Sequence, residues 1–358
     1  MDQIIERLLY SYLIKIKQNA PQFSDEQQSQ IIEICGRYLM AGFILESNRL
    51  DPSNTHLVKC LEGQRRVMAI KNISMKQDLA KIATNFSLKK IDFLVLKGMA
   101  LNIGGIYKHG IRASRDIDLL VQREDIPLAY RTLREQGFQY RNVGAADKAV
   151  VFFGKHLPVM SNNRGTHVEL HWRVTDVNSH KNCPITNYMF AQLWECREEK
   201  RISIPNVESM MAHALYHGVV GHRMNHGPLF LFDLVALLKH NQNQWPEDTS
   251  LMDELHLLDK FKQCKNLIEM ASREEKISQK SITFVNEIMM DFDWMERKAS
   301  QISLFGMTNA RTPLPRIIHK AKQSIFSYAH LWQQPVASFR YWFLYLRHVL
   351  TLIRKIRF

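Results

Sequence analysis

Glycine (15 residues) and proline (11) are scarce in this 358-residue chain, and no segment repeats, which excludes collagen-like and low-complexity architectures. Five cysteines, Cys35, Cys60, Cys183, Cys196 and Cys264, are odd in number and form no C-x-x-C pair. That argues against a disulfide framework and for a reducing compartment. No run of 18 uncharged apolar residues occurs, so no membrane-spanning helix is expected. The opening stretch MDQIIERLLYSYLIKIKQNA is broken by Asp2, Glu6, Lys15 and Lys17 and lacks a small-residue cleavage site, which reads as an amphipathic helix and not a signal peptide. A cytoplasmic protein is expected.

Acidic residues are absent from one end. The net charge is +13, yet Glu296 is the last acid, and 11 Lys and Arg follow it. The first 296 residues therefore hold 37 of the 48 bases against all 35 acids, a balance of only +2. The attraction to anionic partners that a basic protein implies belongs to the tail alone.

What is present is 46% apolar residue content, enough for a substantial core without staples. Apolar residues recur at helical spacing over residues 1–85, as in Leu8, Leu9, Tyr12, Leu13 and Ile16, and again in Ile31, Ile32, Ile34 and Tyr38. The period then changes. IDFLVLKG (91–98) reads as a buried strand ending in a tight turn, 99–107 as a short helix, RDIDLLV (115–121) as a second strand. REDIPLAYRTLREQGF (123–138) reads as a helix with Pro127 in its first turn and Gly137 closing it. FQYRNV (138–143), AVVFFG (149–154) and HVELHWRV (167–174) are strand-like, and helical pattern returns beyond about residue 180. The expected fold class is α+β: a helical region over 1–85, a small mixed-sheet core over 86–178, a helical domain over 179–296 and a basic helical tail over 297–358.

Asp116 and Asp118 sit two apart in an apolar strand, so their side chains share a side while Ile117, Leu119 and Val121 face the other. Two such carboxylates repel unless a cation holds them. Paired hard oxygen ligands are what Mg²⁺ or Mn²⁺ uses while also gripping phosphate oxygens. Glu169, mid-strand in VELHW, supplies a third carboxylate if its strand lies beside the first. Lys97-Gly98 ends a strand and opens a helix, a place where backbone approaches phosphate, and Lys97, Arg112 and Arg115 add positive charge for a triphosphate. Each piece has a plainer reading: a D-h-D pair as a solvated edge, Glu169 as a solvent-facing strand residue, Lys97-Gly98 as a turn.

The order strand, Gly, helix, D-h-D strand, helix, h-E-h strand favours the functional reading over these. LVLKGMALNIGGIYKHGIRASRDIDLLVQREDIPLAYRTLREQGFQ followed by VELHW resembles the polymerase-beta-like nucleotidyltransferase superfamily, and within it the bacterial uncharacterised nucleotidyltransferase family, which reads L-K-G, R-x-x-x-D-I-D-L-L-V and D-L-H-W. The resemblance runs from about residue 85 to 240 and takes in IPNVESMMAHALYHG and LFLFDLVALL. Arg112 matches the family's Arg four residues before the first Asp. Two positions depart: Gly98-Met99 replaces the superfamily's Gly-Ser turn, and Glu169 stands where relatives often carry Asp. The resemblance implies a magnesium-dependent nucleotidyltransferase, in which Asp116, Asp118 and Glu169 hold two Mg²⁺ (or Mn²⁺) ions. An NMP from ATP or another NTP would pass to an unidentified small molecule, sugar or peptide by in-line attack, with pyrophosphate leaving. Glu169 is also a candidate general base.

Other signals carry less. His213, His217, His222 and His226 cluster near one helix, but without H-E-x-x-H or a nearby Cys, packing or a substrate contact is the expected role. Asp233 is read as structural, a charge partner for Arg223, with a substrate contact as the alternative. His171 shares a strand face with Glu169 and so borders the site, and Trp172 points to the core. In the tail, Trp342, Phe343, Leu346, Val349, Leu350 and Ile353 form one helical face and Arg340, Arg347 and Arg354 another. Residues 336–358 thus suit either packing on the protein itself or an anionic membrane surface, which would place the protein peripherally at the inner membrane face. Nucleic acid is not the expected partner, since no recognised binding module accompanies the tail.

Two rival functions stay open. D-I-D could be the metal-binding D-x-D of a nucleotide-sugar glycosyltransferase, although only helices precede residue 90 where that class needs a nucleotide-binding α/β unit. Alternatively the fold is a catalytically inactive binding module with a membrane-surface tail.

Overall fold

A computed structural model describes residues 23–46, 50–51, 53–108, 110–140, 155–175, 184–195, 201–221 and 229–272. The expected N-terminal amphipathic helix, the AVVFFG strand, His222, Arg223, His226 and the whole basic tail lie outside the described residues. None of the helices described is long and apolar enough to cross a membrane.

Helices α1 (Asp25–Tyr38), α2 (Ala41–Glu46) and α3 (Thr55–Leu88) come first. Helix α3 buries Leu57, Leu61, Met75, Leu79, Ile82, Ala83 and Phe86, a three-to-four spacing that turns one stripe to the core. It ends where Lys90 adopts φ 55° and Ile91 N–H closes on Phe86 C=O, the left-handed cap that redirects the chain into the sheet. Strand β1 (Phe93–Leu96) follows, then α4 (Lys97–Ile103), β2 (Ile117–Val121), a 3₁₀ turn at Arg123–Asp125 and α5 (Ile126–Glu135). Gly137, at φ 85°, closes α5 as the sequence implies. Next come β3 (Gln139–Tyr140), β4 (Met160–Ser161) and β5 (His167–His171).

Helix α6 (Pro184–Ala191) leads to a hairpin of β6 (Leu193–Glu195) and β7 (Ser203–Pro205), strands within a segment that reads as helical in the sequence. Both are three residues long, too short to impose an alternating pattern. Helix α7 (Val207–Tyr216), capped by Asn206 accepting from Ser209 N–H at 3.0 Å, runs into a π-helical turn at His217–Gly221. Helices α8 (Leu229–His240), α9 (Ser250–Glu254) and α10 (Leu258–Ser272) complete the described chain.

The strands form one mixed seven-stranded sheet, β3-β4-β5-β2-β1-β7-β6. Strands β1 and β2 are antiparallel, while β2 and β5 run parallel. Every residue of β1 and β2 is buried, which is why both read as continuous apolar runs. Each of Leu94, Val95, Ile117, Leu119 and Leu120 is withdrawn from water, at roughly 1.5–3 kcal/mol per side chain. This mixed α+β architecture, a sheet set among helices, agrees with the fold class read from the sequence.

Candidate active site

The cross-strand register brings the acids together. Asp118 pairs with Leu96 on one side, the residue before Lys97, and with Glu169 on the other. Asp118, Glu169 and His171 present ligand atoms that all lie within 4.8 Å of one another. Lys97 Nζ donates to Asp118 Oδ1 at 2.5 Å and lies 3.8 Å from Glu169 Oε2. His171 Nε2 is 2.9 Å from the same Asp118 oxygen and 3.3 Å from Glu169 Oε2. Ionised carboxylates only accept, so Nε2 carries the proton and donates.

Asp116 stands just before β2, half-buried. Its loop is pinned from two helices: Asn72 of α3 and Asn102 of α4 both donate to Arg112 C=O at 3.0 Å, and Ser114 N–H donates to Asn72 Oδ1. Lys71 reaches across from α3 to Arg115 C=O at 2.6 Å. The β4–β5 hairpin is fixed to the same helix by buried Asp78, which accepts from Asn162 at 2.9 Å and Thr166 at 2.6 Å and pairs with Arg164. Helix α3 thus holds both flanks of the acidic cluster.

Charge within the cluster is divided unevenly. Burial, reinforced by the Asp118 charge, pushes the Asp116 carboxyl up to about 6 against the opposing pull of Lys97. Burial acts on Asp118 in the same direction, but the Lys97 ammonium and the His171 hydrogen bond overrule it and hold that carboxyl well below the usual range. For Glu169 the upward push of burial is again outweighed, here by the His171 hydrogen bond, and the carboxyl is lowered. Lys97 is raised although burial disfavours its charge, because Asp118, Glu169 and Asp116 surround it.

The cluster opens on a cleft of about 430 Å³ whose lining includes Arg37, Lys97, Arg115, Lys155, Asp116 and Glu169. Cations around a carboxylate floor suit a ligand that brings its own negative charge together with a metal ion. The donor set itself fits a hard divalent cation: Asp118 and Glu169 on adjacent strands and Asp116 just before β2, with the two aspartates pressed together at a cost that a cation would relieve. His171 fits a different task. To ligate through Nε2 it would need its proton on Nδ1, and that atom is buried with no hydrogen-bond partner. Its geometry is that of a donor steadying Asp118 and Glu169.

Of the residues the sequence singles out, Lys97, Asp116, Asp118 and Glu169 meet at one place. Arg115 is exposed, lines the cleft and donates to Arg37 C=O. Gly98 lies in α4 with no room for a side chain: a Cβ would meet Ser114 Oγ at 2.7 Å and Arg112 Nη1 at 3.1 Å. Arg112 is buried and turned toward Asp233, with Nε 2.9 Å from Oδ1 and Nη2 3.0 Å from Oδ2, while Tyr107 donates to the same carboxylate at 3.1 Å. The charge partner of Asp233 among the described residues is therefore Arg112. His213 and His217 stack edge-on at 5.9 Å beside the cluster, and burial drives the His213 imidazole down to about 3. Trp172 is buried as expected. Sequence reasoning missed Lys71, Lys155 and His156; the last packs against His171 with ring centroids 4.8 Å apart. They come from a distant helix and from the bridge beside β5, so no local spacing ties them to the acids.

Comparison with known proteins adds the following. The sequence profile of a family described as "Uncharacterised nucleotidyltransferase" matches residues 41–273, well over half of the chain. No curated protein matches. Among solved structures, an antigenic nucleotidyltransferase-like protein from Paracoccidioides brasiliensis superposes at 16% identity over 55% of this chain and 92% of its own, with a TM-score of 0.35. A likeness that slight carries no argument about this site.

Proposed function

This chain belongs to the uncharacterised nucleotidyltransferase family, and we propose that it transfers a nucleoside monophosphate from a nucleoside triphosphate to an acceptor hydroxyl or phosphate, in the presence of Mg²⁺ or Mn²⁺. The observation that carries the reading is the register of β2 against β5, which sets Asp118 beside Glu169 with Asp116 one step away. The divalent ions, two in the reading given by family resemblance, would be held by Asp116, Asp118 and Glu169 and would supply charge neutralisation at the transferring phosphoryl group. The chain's own part is positional. His171 and Lys97 fix the orientation of the carboxylates, and Arg37, Arg115 and Lys155 line the cleft where a triphosphate is to lie. Arg112 lines the cleft too and is held in place by Asp233, with Gly98 packed against it.

Label placement tests the reading. The protein and Mg²⁺ are incubated with fractionated small-molecule and peptide acceptors and, in separate reactions, with each of the four triphosphates labelled at the α- or at the γ-phosphorus, or with UDP- and GDP-sugars. The proposal expects α-label on an acceptor and release of pyrophosphate, both lost in Asp118→Asn. Label moving only from the γ-position, or turnover of UDP- or GDP-sugars in place of triphosphates, would overturn it.

A further inference from the structure

Beside the acidic cleft lies a second, smaller cavity. It has a volume of about 120 Å³ and is enclosed between β1, α4, α7 and α8. The two share Lys97, Arg112, His217 and Leu229 as lining, so the smaller one opens where the reacting groups are to meet. Its walls are Leu96, Leu101, Met210, Ala214, Phe230 and Leu237. The charged groups that reach it are already committed, Lys97 to Asp118 and Arg112 to Asp233. The remaining polar lining is the two imidazoles of His213 and His217, with His213, deep in the protein, uncharged above the acidic range. The pocket is also built into the backbone. Gly218 belongs to the π-helical turn that offsets the end of α7, and a Cβ there would come within 2.6 Å of the Phe230 ring.

Size and chemistry restrict the occupant. An apolar cavity of about 150 Å³ accepts benzene, so 120 Å³ accommodates a group of about five or six carbons. A nucleobase matches it poorly, because two imidazoles cannot meet all of its ring nitrogens and exocyclic groups, and the rest would be buried against apolar walls. A sugar fails for the same reason, with a hydroxyl on nearly every carbon. We infer that this cavity receives the acceptor, and that the acceptor carries its nucleophile on a compact aliphatic or aryl group. The inference rests on the transfer reading for the word acceptor; the pocket's preference for such a group does not.

The probe is benzyl alcohol, with glucose as the polar control, titrated into full-length protein carrying ¹³C-methyl methionine. A saturable shift of the Met210 methyl with benzyl alcohol and none with glucose is expected. Ala214→Leu fills the cavity and should weaken the benzyl alcohol response by about tenfold or more, while Mg²⁺-dependent ATP binding by the same sample stays unchanged. Leu237→Ala enlarges it and should admit 2-naphthylmethanol, which the natural protein excludes; this gain requires a folded protein. No saturable response in the natural protein, an equal response to glucose, or an undiminished response in Ala214→Leu would overturn the inference. If benzyl alcohol binds as described but no triphosphate does, the pocket stands and the transfer reading falls.

Discussion

Lys97 Nζ sits 2.5 Å from Asp118 Oδ1 and 3.8 Å from Glu169 Oε2, held there by a backbone at φ 53° that non-glycine residues seldom adopt. The lysine is a built-in counter-charge at the centre of an acidic cluster. Replacing it with methionine leaves Asp118 buried beside Glu169 without its cation, a change that typically costs about 3–5 kcal/mol. Lys97→Met should therefore melt well below the natural protein in chelator. Added Mn²⁺ should recover more stability in the variant than in the natural protein, since a divalent ion supplies the missing charge. Thermal unfolding with and without Mn²⁺ checks this; equal Mn²⁺ effects would refute it.

Asp116 gives a pH signature. Its carboxyl titrates near 6 in the folded protein against an ordinary 3.8, so the folded state binds this proton more tightly than the unfolded chain does. Stability from this group is present at low pH and is lost as pH rises from about 4 through 6. Asp116→Asn removes the loss. In chelator at pH 7.5 the variant should be more stable by about 1–3 kcal/mol, and the gain should vanish near pH 4. Denaturant unfolding across that range measures it. Gained stability together with lost Mg²⁺-dependent triphosphate binding marks a residue placed for function.

The Arg112–Asp233 pair tests whether the arginine is committed to the fold. Both side chains are buried and joined by two hydrogen bonds. Asp233→Asn or Arg112→Met alone strands a buried charge and should cost about 3–5 kcal/mol, whereas Arg112→Met with Asp233→Leu should recover much of it. A double-mutant cycle by equilibrium unfolding reads the coupling, and simple additivity would count against the pairing.

Gly98 predicts a steric rescue. A Cβ at this position meets Ser114 Oγ at 2.7 Å, so Gly98→Ala should destabilise by about 1–3 kcal/mol. Adding Ser114→Ala removes the nearer obstacle and should restore part of that loss in thermal unfolding. An uncorrected double variant would place the crowding elsewhere, on Arg112.

The sequence carried the acids well because their signal is local. Period-two spacing places Asp116 and Asp118 on one side of a strand, and the apolar runs around Leu94 and Leu119 mark strands buried on both faces. Glu169 needed one further fact, that β5 lies beside β2, which the family resemblance implied. Long-range pairings were not legible. Nothing in the spacing of Arg112 points 121 residues ahead to Asp233, and the expected partner Arg223 lies outside the described residues. Strands β6 and β7 were hidden because three residues cannot establish an alternation. His171 was placed at the edge of the site by its strand face, yet its role as donor to both Asp118 and Glu169 depends on rotamer and register together.

The most direct test of the central claim is calorimetric titration of ATP, CTP, GTP and UTP, with UDP- and GDP-sugars for comparison, into the protein with Mg²⁺ and into Asp116→Ala/Asp118→Ala. The account predicts that at least one triphosphate binds in a strictly Mg²⁺-dependent manner and that the double variant, folded by circular dichroism, binds none. Metal-independent binding, or binding undiminished when both aspartates are gone, would contradict it.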